Sequence, residues 1–244
     1  MTDAVLYLPE VDSTNTYAKA HLDDFGQVGA VYTTSQTAGR GRLGRAWVNA
    51  AGQALYYTCV VKAPLAQPDA LSLLSSLAVR DALNALYGID CQIKWPNDVL
   101  LHGKKLAGIL CEGIPGQNCW LSGIGINLAQ PQSYFDAAGL PHGASLALCG
   151  VAVDPRRDPR RLAEYLTDFG FDRPLFAFER EGFAPFRDAY RAGCVNLGRH
   201  VRFDGGEGTA VDVDELGRLV VQGDDGLRRV FTGEVSVQGI YGAV

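Results

Sequence analysis

The sequence predicts an α+β fold, a mixed or antiparallel sheet with flanking helices followed by a small β-barrel. Three observations carry this. Up to about Gly193, short apolar runs of strand length alternate with segments of helical periodicity. Two such runs, Val99–Leu101 and Leu106–Leu110, flank His102-Gly103-Lys104 and read as a β-hairpin. After Gly193 the texture changes to short β segments cut by Gly and Asp, with turn signals at Gly205-Gly206, Glu215–Gly217 and Asp224–Gly226 recurring about every ten residues.

In chain order, Ser13-Thr14-Asn15 is an N-cap for a helix through Tyr17–His21. Strands follow over Ala30–Thr34 and Leu55–Lys62. A helix over Ala70–Tyr87 places Leu73, Leu74, Leu77, Ala78, Ala82, Ala85 and Leu86 at three- and four-residue spacings, with Gly88 as its stop. Strands at Lys105–Glu112 and Trp120–Asn127 come next. A second helix opens at Asp158-Pro159, an N-cap followed by proline, and turns Leu162, Leu166 and Phe169 inward. Helical pattern resumes from Phe176 to Tyr190. The terminal β segments are Val201–Phe203, Thr209–Val213, Leu219–Gln222, Val230–Thr232 and Val235–Gln238. These patterns divide the chain into a main domain, 1–192, and a small module, 193–244, which can bury little core alone and leans on the larger one.

The 244 residues are 47% apolar and 20% charged, enough for one substantial core plus that module. No apolar run approaches the roughly 18 residues of a membrane span, and the first twenty residues lack a secretion signal, so the expected compartment is the cytoplasm. The six cysteines are scattered, without CxxC or a His partner at metal spacing, and read as reduced thiols. Net charge is −5, and residues 194–244 supply −3 of it, five Arg against eight Asp or Glu. That balance argues against nucleic acid as a partner.

Against this acidic background, Arg40, Arg42 and Arg45 fall within six residues with no acid among them. Residues 39–45, GRGRLGR, formally satisfy GxGxxG, but Trp47, Asn49 and Gly52 follow where the dinucleotide fingerprint needs a helix. The glycines instead free backbone N–H groups for an anion-binding concavity, and the arginines add forked donors, making a phosphate clamp. A solvated Arg-Gly loop that binds RNA loosely is the other reading of this segment alone. Trp47 offers a flat surface for a purine or caps a sheet. Ser13, Thr14 and Asn15, joined by Gln36, either cap a helix or line a pocket for a small neutral polar head. Gly123 and Gly125 stand in a strand where β-branched residues are usual, marking a bulge or a close approach by ligand or backbone. Lys94 and Asp98 flank a stiff Trp95-Pro96 step.

Taken together, Ser13-Thr14-Asn15, GRGRLGR at 39–45, KWPND at 94–98, KLAGIL at 105–110 and GIGIN at 123–127 resemble the biotin–protein ligases, over nearly the whole chain. The form resembled is the monofunctional one. Only about ten residues precede Val11-Asp12-Ser13, which leaves no room for a winged helix and makes a repressor role unexpected. The resemblance implies a catalytic domain of the biotin/lipoate ligase type with an SH3-like C-terminal barrel. It also implies a two-step reaction: biotin's carboxylate attacks the α-phosphate of ATP to give biotinyl-5′-AMP and pyrophosphate, and a lysine of a carrier domain then takes the biotinyl group.

The same resemblance distributes roles. Lys105 is the principal catalytic residue, between carboxylate and α-phosphate, with Arg42 and Asp98 beside it. Ser13, Thr14, Asn15, Gln36, Gly39, Arg40 and Lys105 bind biotin, and Gly108, Gly123 and Gly125 leave space for its rings and tail. Arg40, Arg42, Arg45, Trp47, Lys94, Asn97 and Asn127 serve ATP. Mg²⁺ accompanies ATP, with Asp98 as a ligand, as a water-mediated contact or as a group that orients Lys94. Leu43 stands where related loops often carry a basic residue. The expected partner is the biotin carboxyl carrier domain of a biotin-dependent carboxylase, with no DNA and no membrane, the ligase being monomer or homodimer. Lipoate ligases and octanoyl transferases are the nearest enzyme rivals, and they lack the KWPND form. A non-catalytic biotin-binding protein is the rival from another class, and it has no use for Lys105 and three loop arginines.

Overall fold

The computed structural model describes residues 5–231 and 233–241. Two sheets organise them. The larger has seven strands in the order β1-β2-β3-β7-β6-β5-β4, formed by β1 (Val5–Tyr7), β2 (Val28–Thr33), β3 (Ala54–Lys62), β4 (Gln92–Lys94), β5 (Asp98–Leu101), β6 (Lys104–Gly113) and β7 (Cys119–Asn127). Only the β1–β2 pair is parallel, so the sheet is mixed and otherwise antiparallel. The smaller is a five-stranded antiparallel sheet, the form of a small barrel. Its strands β8 (His200–Phe203), β9 (Gly206–Val213), β10 (Leu219–Gly223), β11 (Gly226–Val230) and β12 (Val235–Val237) run in the order β11-β10-β9-β8-β12.

Period-two alternation sorts the large sheet into two faces. In β3, Leu55, Tyr57, Cys59 and Val61 enter the main core, which contains α2 (Leu71–Tyr87) and α4 (Asp158–Tyr165). Val60, on the other face, packs with Ala18 of α1 (Thr14–Ala20), and Tyr56 joins a small cluster with Trp47 and Tyr134, the latter from α3 (Gln132–Ala137). One end of that second face is covered by α1 and the other is left for a cavity. The expected hairpin is present: His102 (φ 50) and Gly103 (φ 74) form a two-residue turn with both residues left-handed, which suits the twist of β5 and β6. Gly88 ends α2 in the left-handed conformation, φ 68.

Four expectations need correction. Phe169 is 45% exposed rather than inward. After Tyr165 the chain enters a π-helical segment, Leu166–Asp172, whose wider turn brings Gly170 and Phe171 to the core. Gly170 lies against Ala78 so closely that a Cβ would come within 2.8 Å of that methyl. Phe169 instead stacks on Tyr165 at 4.6 Å and under the Arg173 guanidinium at 3.8 Å. Asp158 is not the N-cap but the first helical residue, its carboxylate accepting from Asp154 N at 2.8 Å and pairing with Arg161 at 3.0 Å. The helix expected over 176–190 is two helices, α5 (Arg173–Glu181) and α6 (Arg187–Gly193), broken where Gly182 adopts φ 63. The strand expected at Val230–Thr232 ends at Val230, and Thr232 lies outside the described residues.

Buried polar contacts tie the two sheets together. Trp95 N donates to Asn196 Oδ1 at 2.8 Å and the Trp95 indole to Gly217 O at 3.0 Å, both fully buried. Arg187 and Arg191 of α6 grip Asp212 of β9 at 2.6 and 2.8 Å. Asn196→Ala leaves the Trp95 N–H without an acceptor and is expected to cost about 1–3 kcal/mol of stability, read as a lower denaturation midpoint in urea. An unchanged midpoint would remove this contact from the account.

Candidate active site

Strand register builds the site. Lys94 of β4 is opposite Asp98 of β5, Asp98 is opposite Gly108 of β6, Gly108 is opposite Gly125 of β7, and Gly125 is opposite Tyr56 of β3. Directly opposed residues project from the same face of a sheet, so four positions from three separate motifs lie on one row together with Tyr56. Two adjacent glycines at its centre make a trough in the sheet surface, with charge at one end and an aromatic ring at the other. The row floors a cavity of about 630 Å³, closed above by the segment 39–48 and at one side by residues 139–143 and 233–241.

Trp47 occupies the trough. A Cβ at Gly108 would lie 2.7 Å from its indole ring, and one at Gly125 would lie 2.7 Å from it as well. The third glycine, Gly123, has another tenant: a Cβ there would collide with Asn15 Oδ1, so the void expected for ligand at this position is filled by Asn15 in this structure. The Asn15 amide is fixed by Thr58 Oγ1 donating to its Oδ1 at 2.6 Å and by its Nδ2 donating to Glu112 Oε2 at 2.7 Å. Beside it, the Thr14 N–H and hydroxyl both donate to Gln36 Oε1, at 2.8 and 3.1 Å. Ser13 is the N-cap residue of α1 as expected, but its side chain makes no capping bond and lines the cavity with Thr14, Asn15 and Gln36. The triplet thus both opens α1 and lines the cavity.

The charged end is compact. Lys105 Nζ sits 2.6 Å from Asp98 Oδ1 and 5.7 Å from the Trp47 ring centroid. Asp98 Oδ2 accepts from the Tyr241 hydroxyl at 3.2 Å. Of the two lysines near it, Asp98 therefore pairs with Lys105 rather than with Lys94. Lys94 Nζ lies 5.1 Å over the Tyr241 ring, and burial pulls its ammonium below the usual lysine range, the Asp98 carboxylate opposing that shift.

The glycine-arginine segment is a tight excursion closed on itself. Trp47 N donates to Gly39 O at 2.9 Å and Gly41 N to Arg45 O at 2.7 Å. Gly39 is required there, because a Cβ would be 2.7 Å from Trp47 O. The tip is a single 3₁₀ turn, Arg42–Gly44, so no helix opens at the third glycine and the dinucleotide reading falls. Leu43 at that tip has φ 56, a conformation costing a non-glycine residue about 1–2 kcal/mol. Each arginine leans on a protein acceptor: Arg40 on Glu112 at 3.1 Å, Arg45 on Glu234 at 2.5 Å, and Arg42 on Asn97 Oδ1 at 2.6 Å and Gly233 O at 2.9 Å. The pairs of Arg40 and Arg45 are partly to largely solvent-exposed and weak. Asn127 faces the cavity, its Oδ1 accepting from Gln130 Nε2 at 2.8 Å.

Every expected site residue except Gly39 lines the one cavity, and Gly39 shapes its roof. Sequence reasoning missed Glu112, which joins Asn15 to Arg40, and the residues 233–241 that wall the charged end. Alternation could have found Glu112, which lies two and four residues beyond Leu110 and Gly108 on the same face of β6. Nothing local marks the other group. As for a metal, no group of three or more His, Cys, Asp or Glu among the described residues could hold one, and both oxygens of Asp98 are engaged by Lys105 and Tyr241. The described residues therefore offer no all-protein cage for a metal ion.

The model of the biotin/lipoate A/B protein ligase family matches residues 7–128, and that of the biotin protein ligase C-terminal domain matches residues 197–238. The biotin–[acetyl-CoA-carboxylase] ligase of Paracoccus denitrificans is 34% identical, over 95% of this chain and 100% of its own. Among solved structures, the biotin protein ligase of Aquifex aeolicus in complex with biotin and ATP superposes with a TM-score of 0.77 at 26% identity, covering 96% of this chain and 98% of that one. The biotin protein ligase of Leishmania major in complex with biotinyl-5-AMP gives 0.64 at 28%, covering 93% and 98%. The chain belongs to the biotin/lipoate A/B protein ligase family, in its biotin–protein ligase branch.

Proposed function

We propose that this protein activates biotin with ATP as biotinyl-5′-AMP, releasing pyrophosphate, and transfers the biotinyl group to a lysine of a biotin carboxyl carrier domain. The observation that carries the reading is the placement of Lys105. Its ammonium stands at the head of a neutral glycine trough and beneath a loop with three arginines, where an uncharged ring system and a polyanion would meet.

In this reading biotin's bicyclic head lies along Gly108 and Gly125, its ureido group facing Thr14, Asn15 and Gln36. Trp47 leaves the trough as the ligand enters and packs against the adenine. The carboxylate then points at Lys105. Two anions repel, and Lys105 neutralises both the attacking carboxylate and the α-phosphate and holds the charge that develops as the new C(O)O–P bond forms and the P–O bond to pyrophosphate breaks. Arg40, Arg42 and Arg45 exchange Glu112, Asn97, Gly233 O and Glu234 for phosphate oxygens. Closure of the loop keeps water from the mixed anhydride. In the second step the carrier lysine's amine attacks the acyl carbonyl and AMP leaves. Mg²⁺, if bound with ATP, would supply charge neutralisation of the phosphates.

The carrier as partner is supported by the name of the Paracoccus relative. We place the junction of catalytic domain and C-terminal module between residues 192 and 193, at the end of α6, since the two sheets share no strand. No described helix is long and apolar enough to cross a membrane, and the six free cysteines suit a reducing cytoplasm.

The deciding experiment is pyrophosphate release from Mg·ATP with biotin, lipoate or octanoate as the only acid. Release with biotin alone is expected, and release with lipoate or octanoate instead would move the protein to the sister activities. Lys105→Ala is expected to lower adenylate formation at least about a hundred-fold while calorimetry shows biotin binding largely kept; near-normal adenylation would refute the role. Arg42→Ala is expected to weaken ATP use and let adenylate escape, seen as faster non-specific lysine biotinylation by mass spectrometry, and unchanged ATP dependence would count against the clamp. Gly125→Val drives a branched side chain into the trough and is expected to weaken biotin binding by about ten- to a hundred-fold, a normal calorimetric titration being the contrary result.

A further inference from the structure

The segment after β12 reaches back into the large sheet's site. Ile240 N donates to Val237 O at 3.0 Å, and the turn so formed delivers Tyr241 with φ 58, a left-handed backbone that a tyrosine adopts only at a cost. Its ring is held on two sides, stacked on His142 at 5.4 Å and 24° and covered by Lys94 Nζ at 5.1 Å. Its hydroxyl donates to Asp98 Oδ2, leaving Oδ1 to Lys105. The loop carrying His142 also holds the main chain of Lys105: Lys105 N donates to His142 O at 2.7 Å and Ala144 N to Lys105 O at 2.9 Å. Tyr241 and Lys105 thus meet twice, once through Asp98 and once through His142.

We infer that Tyr241 is a positioning residue for Lys105, acting through Asp98: its hydroxyl fixes the carboxylate so that the ammonium stands at the head of the glycine trough. A carboxylate with a single partner turns about its own axis and follows that partner, whereas one anchored at its second oxygen makes a fixed stop. The anchor stays a donor throughout the working pH range, because burial, with the Asp98 carboxylate beside it, pushes the phenol well above its ordinary value. A tyrosine from the C-terminal module therefore belongs to the adenylation machinery of the main domain. The inference deepens the proposed ligase reading and rests on it for its catalytic part.

The test is Tyr241→Phe in the full chain, which keeps the ring between His142 and Lys94 and removes only the hydroxyl. With Mg·ATP and biotin, kcat for pyrophosphate release is expected to fall about ten-fold while KM for biotin stays within about two-fold of wild type. In an Asp98→Asn background the same substitution is expected to add no further loss. Unchanged kcat, a rise in KM alone, or a full additional ten-fold loss in that background would each overturn the inference. A readout independent of activity separates it from the ligase reading. Acetylation of Lys105 by acetic anhydride, followed by peptide mass spectrometry, is expected to run several-fold faster in Tyr241→Phe, since a loosened ion pair frees the amine more often. Equal labelling rates would overturn the inference even in an active ligase, whereas a wild-type protein that releases no pyrophosphate with biotin would count against the ligase reading instead.

Discussion

Strand register is the constraint on which the site depends. A slip of one residue between β5 and β6, or between β6 and β7, would send Gly108 or Gly125 into the core and bring Ala107, Ile109 or Ile124 up to the trough. Ala107, Ile109, Ile124 and Ile126 resist that slip because their burial against the main core is worth roughly 1.5–3 kcal/mol for each large side chain. The hairpin turn at His102-Gly103 sets the first pairs, Leu101 with Lys104 and Leu100 with Lys105, and a one-residue register shift between Val99 and Leu100 then brings Asp98 opposite Gly108. The row is thus held in register by side chains buried in the main core, and its glycines keep the surface narrow enough to leave a trough.

The loop above the row follows the opposite principle. Its own closure is rigid, through Gly39, Gly41 and the bond between Trp47 N and Gly39 O, whereas its attachment to the rest of the molecule runs through exposed ion pairs to Glu112 and Glu234. Pairs of that kind contribute about 0–1 kcal/mol each. A body with a firm shape and weak moorings can change position as a unit without being rebuilt. Arg42 and Trp47 are exceptions: the two bonds of Arg42 reach both the large sheet, at Asn97, and the small one, at Gly233, and the indole packs on Gly108 and Gly125.

Much of this was legible beforehand, for reasons that differ by element. Alternation in β3, β6 and β7 and the periodicity of α2 are written directly in residue type, and the turn at His102-Gly103 has local chemistry of its own. The motifs identified the cavity because their residues converge on it. Tertiary exchange was not legible. Nothing in 165–172 announces a π-helical turn, so Phe169 was given the wrong face. Asn15 over Gly123, Trp47 over Gly108 and Gly125, and Tyr241 on Asp98 join residues 61 to 143 positions apart, and each partner alone reads as ordinary. Close approach is legible at the glycines, whereas the side chains that make it in this structure, Trp47 and Asn15, are not, because a glycine announces a vacancy and says nothing about who fills it.

The indole in the trough alters what calorimetry would register. A ligand that lies along Gly108 and Gly125 does not dry a wet apolar surface, because Trp47 already covers those glycines. It exchanges one aromatic contact for another. The apolar area removed from water on binding is then the ligand's own area less what the displaced indole gives back, and the negative heat-capacity change that accompanies apolar burial shrinks accordingly. If the indole finds new cover on a nucleotide, that deficit is recovered only when the second ligand arrives, so the heat-capacity signature belongs to the pair rather than to either ligand alone.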